Sequence, residues 1–223
     1  MYEAIVLDND GVLTVPTETA LYERAVETAF AAFDVEPDPT HLDAMREDLS
    51  PETVREVAAH YGLDAAAFWR RHEVEHAAAQ HVAIREGEKR LYDDVESLQE
   101  LDVPLGIVSN NQHRTVEHIV EEFDLAGAFD TYYGRRPSIP GMASRKPDPA
   151  YIEAAMADLG TEEVLYVGDS EVDVAAADAA GVDSAYVERP HRPEGYPSAD
   201  PTHTLSGLDE LPALVAGKRG KTA

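Results

Sequence analysis

The chain has 223 residues, 43% of them hydrophobic, and no cysteine. This length allows one domain or a domain with an insertion, and the lack of cysteine excludes disulfides, thiolate zinc sites and cysteine nucleophiles. The 44 acidic and 18 basic residues give a formal net charge of −26, so we expect neither nucleic acid nor an anionic membrane surface as a partner. No apolar run spans a membrane and no basic signal-like segment opens the chain, so we expect a cytoplasmic location.

The acidic excess also predicts the solvent to which the protein is adapted. Regularly spaced hydrophobic residues argue against a disordered acidic chain. A folded chain with this charge is typical of proteins kept soluble at high salt, where screening removes the self-repulsion. We therefore predict a halophilic protein.

The segment after the first strand is predicted to be all helical. That strand covers residues 2–7, and helical periodicity covers residues 17–33. Three further helix starts follow, at Asp38-Pro39, at Ser50-Pro51 and at Asp64, the last running to about His81. We predict a helical cap over residues 15–88, placed above the carboxyl end of the sheet, where a lid controls access of water and substrate.

From Val103 onward, strands and helices alternate. The predicted strands are 104–108, 129–133, 164–167, 184–187 and 202–205. The predicted helices are 92–101, 113–123, 148–159, 172–180 and 208–215, with loops at 134–145 and 191–201. This alternation predicts an α/β fold, a Rossmann-like three-layer core with a parallel sheet. The core would comprise residues 1–14 and 89–216, followed by a disordered tail at 217–223.

Acidic residues stand at the ends of two of these strands. Asp8 and Asp10 follow the first strand, and Asp169 and Asp173 follow the strand at 164–167. Ligands of α/β proteins bind where such strands end. Carboxylates gathered there cannot all stay ionised without a counter-ion. A hard divalent cation with oxygen ligands, most simply Mg²⁺, is therefore predicted, with these four residues as candidate ligands.

The pair Asp8 and Asp10 suits covalent phosphoryl transfer. One carboxylate attacks phosphorus and becomes an aspartyl-phosphate. The other protonates the leaving alcohol and later deprotonates the water that hydrolyses the intermediate. Gly11 allows a sharp turn that directs backbone amides at a ligand. A calcium loop is excluded, because glycine stands fourth rather than sixth and the twelfth position is Thr19.

Polar residues at other element ends complete the predicted site. Ser109 ends the strand at 104–108, and its hydroxyl can hold a phosphoryl oxygen. Lys146 precedes a proline-fixed helix start and can supply a fixed positive charge. We expect Asn9, Gly11 and Asn110 to contact the substrate.

The order of these motifs resembles that of the haloacid dehalogenase superfamily of hydrolases over most of the chain. The four matching stretches are Asp8-Asn9-Asp10-Gly11-Val12-Leu13-Thr14, Ser109-Asn110, Lys146-Pro147 and Gly168-Asp169-Ser170 with Asp173. The resemblance implies Asp8 as nucleophile and Asp10 as general acid and base. It implies magnesium held by Asp8, the Asp10 carbonyl and Asp169, with Asp173 farther out or acting through water. Phosphoglycolate and small sugar-phosphate phosphatases look most similar.

Within that family, Asp10 favours a phosphatase of a small phosphorylated metabolite. Expelling an alkoxide requires an acid, whereas a 2-haloacid dehalogenase releases halide and carries an aromatic residue there. A phosphomutase is a further alternative, although the mutases we compare carry a histidine on the first cap helix, which residues 17–33 lack. A catalytically silent binding protein is the remaining alternative. The sequence does not distinguish a monomer from a homodimer.

Several other residues invite a functional interpretation. The stretch His72-Glu73-Val74-Glu75-His76 fits the zinc-protease pattern, with Glu96 as a possible third ligand. We favour instead a solvated helix face on which Arg70 and Arg71 pair with local acids. Trp69 and Phe68 are predicted to lie in the cap core. The candidates for binding a second anionic group of the substrate are Arg46, Arg55, Arg70, Arg71 and Arg145, and His113 and Arg114 are possible pocket residues.

Overall fold

The computed structural model describes residues 2–47, 49–192 and 200–219. It contains β1 (Ala4–Leu7), β2 (Leu105–Gln112), β3 (Thr131–Arg135), β4 (Val164–Gly168), β5 (Asp183–Val187) and β6 (His203–Leu205). These strands form one sheet in the order β3-β2-β1-β4-β5-β6, and all neighbouring pairs are parallel. The strand order reverses beside β1, which therefore lies at the topological switch point where ligands of α/β proteins bind.

Helices account for the rest of the regular structure. They are α1 (Thr19–Ala31), α2 (Pro39–Glu47), α3 (Pro51–His60), α4 (Ala65–Glu86), α5 (His113–Glu122), α6 (Ile139–Ala143), α7 (Ala150–Leu159), α8 (Glu171–Ala180) and α9 (Leu211–Arg219). Short 3₁₀ helices cover Asp93–Glu100 and Leu208–Glu210. Among the described residues, no helix has the length and apolar character that crossing a bilayer requires.

The sheet is covered by helices on both faces. On one face, the alternate β1 residues Ile5 and Leu7 pack in a cluster with α5 and α9. On the other face, Val6 and Tyr166 pack with α7 and α8. Successive strand residues point to opposite faces, so one short apolar strand supplies both clusters. The predicted three-layer α/β core is confirmed.

Helices α1–α4 share a separate hydrophobic cluster around Phe30, Phe68 and Trp69, each fully buried. The predicted core position of Phe68 and Trp69 is confirmed. The predicted helix starts are confirmed as well: Ser50 accepts a hydrogen bond from the Thr53 amide at 3.0 Å, and Asp64 accepts one from Ala67 at 2.8 Å. Met142 of α6 joins the same cluster, so the cluster extends onto a part of the chain beyond β3.

The structure corrects several predicted boundaries. Residues 92–101 contain a 3₁₀ helix rather than an α-helix, and the predicted loop 134–145 contains α6, which Ser138 caps through the Gly141 amide. Helix α4 continues past His81 until Gly87 adopts a left-handed conformation. Helix α9 includes residues 217–219, predicted as disordered, because Leu211 and Val215 anchor it to the core. Residues 220–223 and most of the predicted loop 191–201 lie outside the described residues.

Candidate active site

Three of the four predicted acidic ligands meet at the carboxyl edge of the sheet. Leu7 of β1 pairs with Val167 of β4, so Asp8 and Asp169 follow neighbouring parallel strands. Asp173 joins them from the first turn of α8. Each residue offers a carboxylate oxygen, these oxygens lie within 4.8 Å of one another, and all three residues are buried. We call this group the carboxylate cluster.

The Asp8 carboxylate has one occupied and one open oxygen. Its Oδ1 accepts a hydrogen bond from the Asn9 amide at 2.7 Å and lies 2.9 Å from Lys146 Nζ. Among the described residues, none hydrogen-bonds to its Oδ2, and Asp8 lines a cavity. Burial raises the pKa of Asp8 to about 8; the Lys146 charge opposes this rise, while Asp173 and Asp169 add to it.

Lys146 is a buried cation within this cluster. Its Nζ donates to Asp173 Oδ1 at 2.5 Å and to Tyr166 Oη at 2.8 Å. Burial alone would lower the pKa of Lys146, but Asp173 and Asp8 raise it above its ordinary value. The Asn110 side chain makes two hydrogen bonds, of 3.0 and 2.7 Å, with the Lys146 backbone. Asn110 therefore orients Lys146, and its predicted contact with the substrate stays a prediction.

The Asp10 side chain lies apart from the carboxylate cluster. It pairs with Lys89 Nζ and accepts a hydrogen bond from Asn111 Nδ2 at 2.6 Å. The Asp10 side chain is therefore not part of the group that could hold a cation, and the metal ligation by its backbone carbonyl that the family resemblance implies stays a prediction.

The two remaining cluster members have different partners. Asp169 Oδ2 lies 2.8 Å from His191 Nε2 and 2.7 Å from Arg192 Nε. Asp173 caps α8 with Oδ2, which accepts hydrogen bonds from the Ser170 amide and hydroxyl, while its Oδ1 contacts Lys146. Because both Asp173 oxygens are engaged, Asp173 is less available to a cation than Asp8 or Asp169.

The other predicted site residues hold the loop after β1 and the end of β2. Gly11 has φ +88°, and a side chain at this position would collide with the Asp169 carboxylate. Ser109 lines the cavity, and its hydroxyl accepts the Asn111 amide at 3.1 Å. Asn9, predicted to contact the substrate, is fully buried, and its side-chain amide donates to the Thr14 hydroxyl at 3.3 Å.

A cavity of about 460 Å³ separates this site from the helices that follow β1. Tyr22, Arg46 and His76 line it from those helices, and Arg135 lines it from the end of β3. Of the arginines predicted to bind a second anionic group, Arg46 is therefore at the cavity, where it also pairs with Glu23 at 3.1 Å.

The other residues predicted to bind an anionic group or to face the pocket are not among the residues that line this cavity. Arg71 pairs with Glu75 and Arg145 contacts the Leu49 carbonyl. Arg55, Arg70 and Arg114 are exposed. His113 lies 3.5 Å from Glu117.

The zinc-protease pattern does not form a metal site in the described part of the chain, where the carboxylate cluster is the group with suitable geometry. Glu73 makes two hydrogen bonds, of 3.0 and 2.7 Å, with the Arg135 guanidinium. His76 Nδ1 lies 2.8 Å from Gln112 Nε2. The prediction of a solvated face is wrong for His72 and Glu73, which are buried because His72 packs against Tyr22 of α1 and Glu73 pairs with Arg135 of β3. Arg71 does pair locally, as predicted.

Several residues of the site were not predicted. Lys89 is 2% exposed and contacts Asp10. The one signal for it in the sequence is its position shortly after Gly87, which ends α4. Arg189 donates to the carbonyls of Gly11 and Val12 at 3.1 and 2.7 Å and so clamps the loop after β1. A lone arginine in a loop carries no such signal in the sequence.

Comparison with known proteins gives the same assignment as the motifs. A phosphoglycolate phosphatase from Cereibacter sphaeroides is 42% identical over 117 residues, covering 50% of this chain and 49% of that protein. The chain thus spans about half the length of the phosphoglycolate phosphatases it matches. Pyrophosphatase PpaX from Listeria monocytogenes is 27% identical over 221 residues, covering 95% of each chain.

A solved structure has the same architecture. CbbY from Rhodobacter sphaeroides, in complex with phosphate, superposes with a TM-score of 0.68 at 25% identity and covers 95% of this chain and 96% of that one. The family model of haloacid dehalogenase-like hydrolases matches residues 5–187. The chain therefore belongs to the haloacid dehalogenase-like hydrolase family.

Proposed function

We propose that this protein is a magnesium-dependent phosphatase that hydrolyses a small phosphorylated metabolite through an aspartyl-phosphate on Asp8. The observation that carries the proposal is the pair of inequivalent Asp8 oxygens. Oδ1 is held by Asn9 and Lys146. Asp8 lines the cavity, and its Oδ2 has no hydrogen-bond partner among the described residues. A fixed carboxylate with one open oxygen is the arrangement that nucleophilic attack requires.

The carboxylate cluster fits a divalent cation. Lys146 is shared by Asp8 and Asp173, and Arg192 pairs with Asp169, so three buried carboxylates face two cationic side chains. Burial beside the other carboxylates raises the pKa of Asp8. Hard oxygen donors of this kind suit Mg²⁺. Asp8, Asp169 and the Asp10 carbonyl would hold the ion. When bound, Mg²⁺ neutralises the phosphoryl group as charge develops.

Asp8 acts as the nucleophile and Asp10 as the general acid and base. Asp8 Oδ2 forms a bond to phosphorus while the bond from phosphorus to the leaving oxygen breaks, and Asp10 gives its proton to that oxygen. Asp10 next takes a proton from water, whose oxygen attacks phosphorus and releases Asp8 and inorganic phosphate. Lys146 supplies a fixed positive charge beside Asp8, and Ser109, at the cavity wall, supplies a hydroxyl that holds a phosphoryl oxygen.

The cavity supports a small substrate that carries a second anionic group. Arg46 lines the same cavity as Asp8, whereas the charge of Arg135, which also lines it, is balanced by Glu73. Relatives of this chain are named for phosphoglycolate, which combines a phosphate and a carboxylate. We propose that residues 15–88 act as the cap that closes over such a substrate. A halophilic protein located in the cytoplasm is consistent with the charge of −26 and stays a prediction.

Two alternative activities have direct tests. Asp10 stands where a dehalogenase carries an aromatic residue, so we expect no chloride release from a 2-haloacid. A phosphomutase would convert a sugar phosphate into its isomer without net release of phosphate. A silent binding protein would show neither activity with any phosphorylated compound.

The first experiment compares the wild type with Asp8→Asn on 4-nitrophenyl phosphate and on a panel of phosphorylated metabolites in molar KCl. We expect activity with Mg²⁺, none with EDTA, and none in the variant, whose circular dichroism stays native. Asp178→Asn is the matched control, because Asp178 is exposed on α8 and we expect its loss to leave turnover unchanged. Full activity of Asp8→Asn would overturn the mechanism.

A further inference from the structure

A closed ring of hydrogen bonds surrounds the Asp10 carboxylate. Lys89 Nζ contacts Asp10 Oδ1 and donates to Thr17 Oγ1 at 3.0 Å. The Thr17 hydroxyl donates to Gln80 Oε1 at 2.8 Å. Gln80 pairs with Asn111, and Asn111 donates back to Asp10 at 2.6 Å. We call Thr17, Gln80, Lys89 and Asn111 the Asp10 ring.

The amide pair within the ring fixes the direction of Asn111. Gln80 Nε2 donates to Asn111 Oδ1 at 2.8 Å, and Asn111 Nδ2 donates to Gln80 Oε1 at 2.7 Å. An amide has two N–H donors and one oxygen, so this reciprocal pair uses one donor of Asn111. The second donor points at Asp10 Oδ2. The Gln112 backbone amide also donates to Asn111 Oδ1, at 2.9 Å, so Gln80 and this amide together determine which group Asn111 presents to the carboxylate.

The ring leaves Asp10 one open acceptor position. A carboxylate offers about four lone-pair sites. Lys89 and Thr14, the latter at 3.4 Å, occupy two of them on Oδ1, and Asn111 occupies one on Oδ2. Asp10 lines the cavity, and its side chain is 28% exposed. A proton exchanged by Asp10 therefore has one defined position, on the cavity side.

The ring joins the cap helices to the core. Thr17 lies in the connection before α1, Lys89 in the connection after α4, and Gln80 on α4 itself. Lys89 and Gln80 are 2% and 0% exposed. A buried ammonium is costly unless it is fully partnered, so the position of Lys89 depends on Asp10, Thr17 and the Val15 carbonyl, which accepts a hydrogen bond at 3.3 Å. The ring is complete only when α4 is docked against β2, as in this structure.

From this geometry we propose that Lys89 and Gln80 are positioning residues that aim the proton-carrying oxygen of Asp10 at the leaving group, and that docking of α4 sets this alignment. The inference rests on the proposed phosphatase function. It also assigns a role to the helix that carries the zinc-protease pattern, because Gln80 lies one turn beyond His76 on the same helix.

The test measures kcat/KM for phosphate esters whose leaving groups range from 2,4-dinitrophenol to a simple alcohol. General acid catalysis contributes about 10²–10⁴-fold, and poor leaving groups depend on it most. We expect Lys89→Met and Gln80→Leu to lower kcat/KM for the alkyl ester by roughly tenfold or more, with little change for the dinitrophenyl ester. Asp10→Asn serves as the reference for complete loss of the acid.

Arg71→Met is the matched control, because Arg71 pairs with Glu75 on the more exposed side of α4. We expect it to behave like the wild type, and Lys89→Arg to recover part of the alkyl-ester rate. If Lys89→Met and Gln80→Leu lower all esters by one common factor, or none of them, the positioning role is refuted. A wild type without phosphatase activity would instead refute the proposed function.

Discussion

The carboxyl edge of the sheet and the docked face of α4 both bury charged side chains, but they balance charge differently. At the sheet edge, three carboxylates face two cations: Lys146 contacts Asp8 and Asp173, and Arg192 contacts Asp169. On α4, Glu73 faces one arginine in a two-bond ion pair. The first group requires further positive charge, whereas the second is neutral and complete. This difference explains why the acidic cluster suits a cation and the zinc-protease pattern does not.

The largest effect that this comparison predicts is on stability. Glu73→Gln leaves Arg135 buried without its counter-charge, so we expect the free energy of unfolding to fall by about 3–5 kcal/mol. Glu75→Gln is the control on the same helix; its pair with Arg71 is more exposed and should contribute about 0.3–0.5 kcal/mol. Urea unfolding measures both variants. Equal losses in the two variants would contradict the neutral-pair account.

A smaller effect is expected on cation affinity. Asp169→Asn removes one carboxylate that we propose as a direct ligand, so the Mg²⁺ concentration for half-maximal activity should rise by about 100-fold or more. Titration of activity with MgCl₂ measures it, and Asp178→Asn is again the control. Unchanged Mg²⁺ dependence would show that the cation binds elsewhere.

The α4 face should also make stability depend on pH. Burial, His72 and Arg135 lower the pKa of His76 to about 3. Below about pH 6.5, His76 therefore binds a proton in the unfolded chain but stays neutral in the folded chain until the pH is much lower. The wild type should therefore lose up to about 1.4 kcal/mol per pH unit relative to His76→Gln between pH 6.5 and 4.5. Comparing urea unfolding of the two proteins at each pH cancels the other titrating groups. Parallel pH profiles would contradict burial of a neutral His76.

Glu73 extends this pH dependence to lower values. Burial alone would raise the pKa of Glu73, but Arg135 lowers it to about 2. The stability from this ionised carboxylate is therefore present above its ordinary value of 4.5 and is lost as the pH falls towards 2. The pH profile of Glu73→Gln should be flatter than that of the wild type over this acidic range.

The smallest predicted effect comes from the net charge of −26, which is spread over the surface. Raising KCl from 0.1 to 1 M shortens the Debye length from about 10 to 3 Å and should weaken the repulsion between exposed carboxylates. We expect stabilisation of at least about 1 kcal/mol, or roughly 2–4 °C in Tm. Calorimetry at several KCl concentrations measures it. A Tm that falls with KCl would contradict the predicted salt adaptation.

The two regions also differ in how far the sequence predicts them. Asp8 and Asp169 follow directly from short apolar runs, because parallel neighbouring strands end at the same edge. The Asp10 ring does not, because its members lie far apart in the chain and meet only through helix docking. Strand β2 continues to Gln112 after a register shift against β3, which brings Asn111 and Gln112 against α4. Local periodicity contains no information about such a shift.

Lys89 shows the same limit for single residues. Isolated lysines are seldom buried, so composition favours an exposed position. Its burial follows from the true end of α4 at Glu86, beyond the predicted end near His81, which carries the chain down to Asp10. The predicted end of α4 is thus about five residues too early, and this error removes the contact between Lys89 and Asp10 from the prediction.

The most direct test of the account is to trap the phosphorylated enzyme. The wild type is mixed with a phosphorylated substrate and Mg²⁺, quenched with acid within milliseconds and reduced with borohydride, and the modified residue is then located by mass spectrometry. The account predicts modification at Asp8, through the oxygen that no side chain holds. Modification at another residue, or rapid turnover with an unmodified Asp8 throughout, would contradict it.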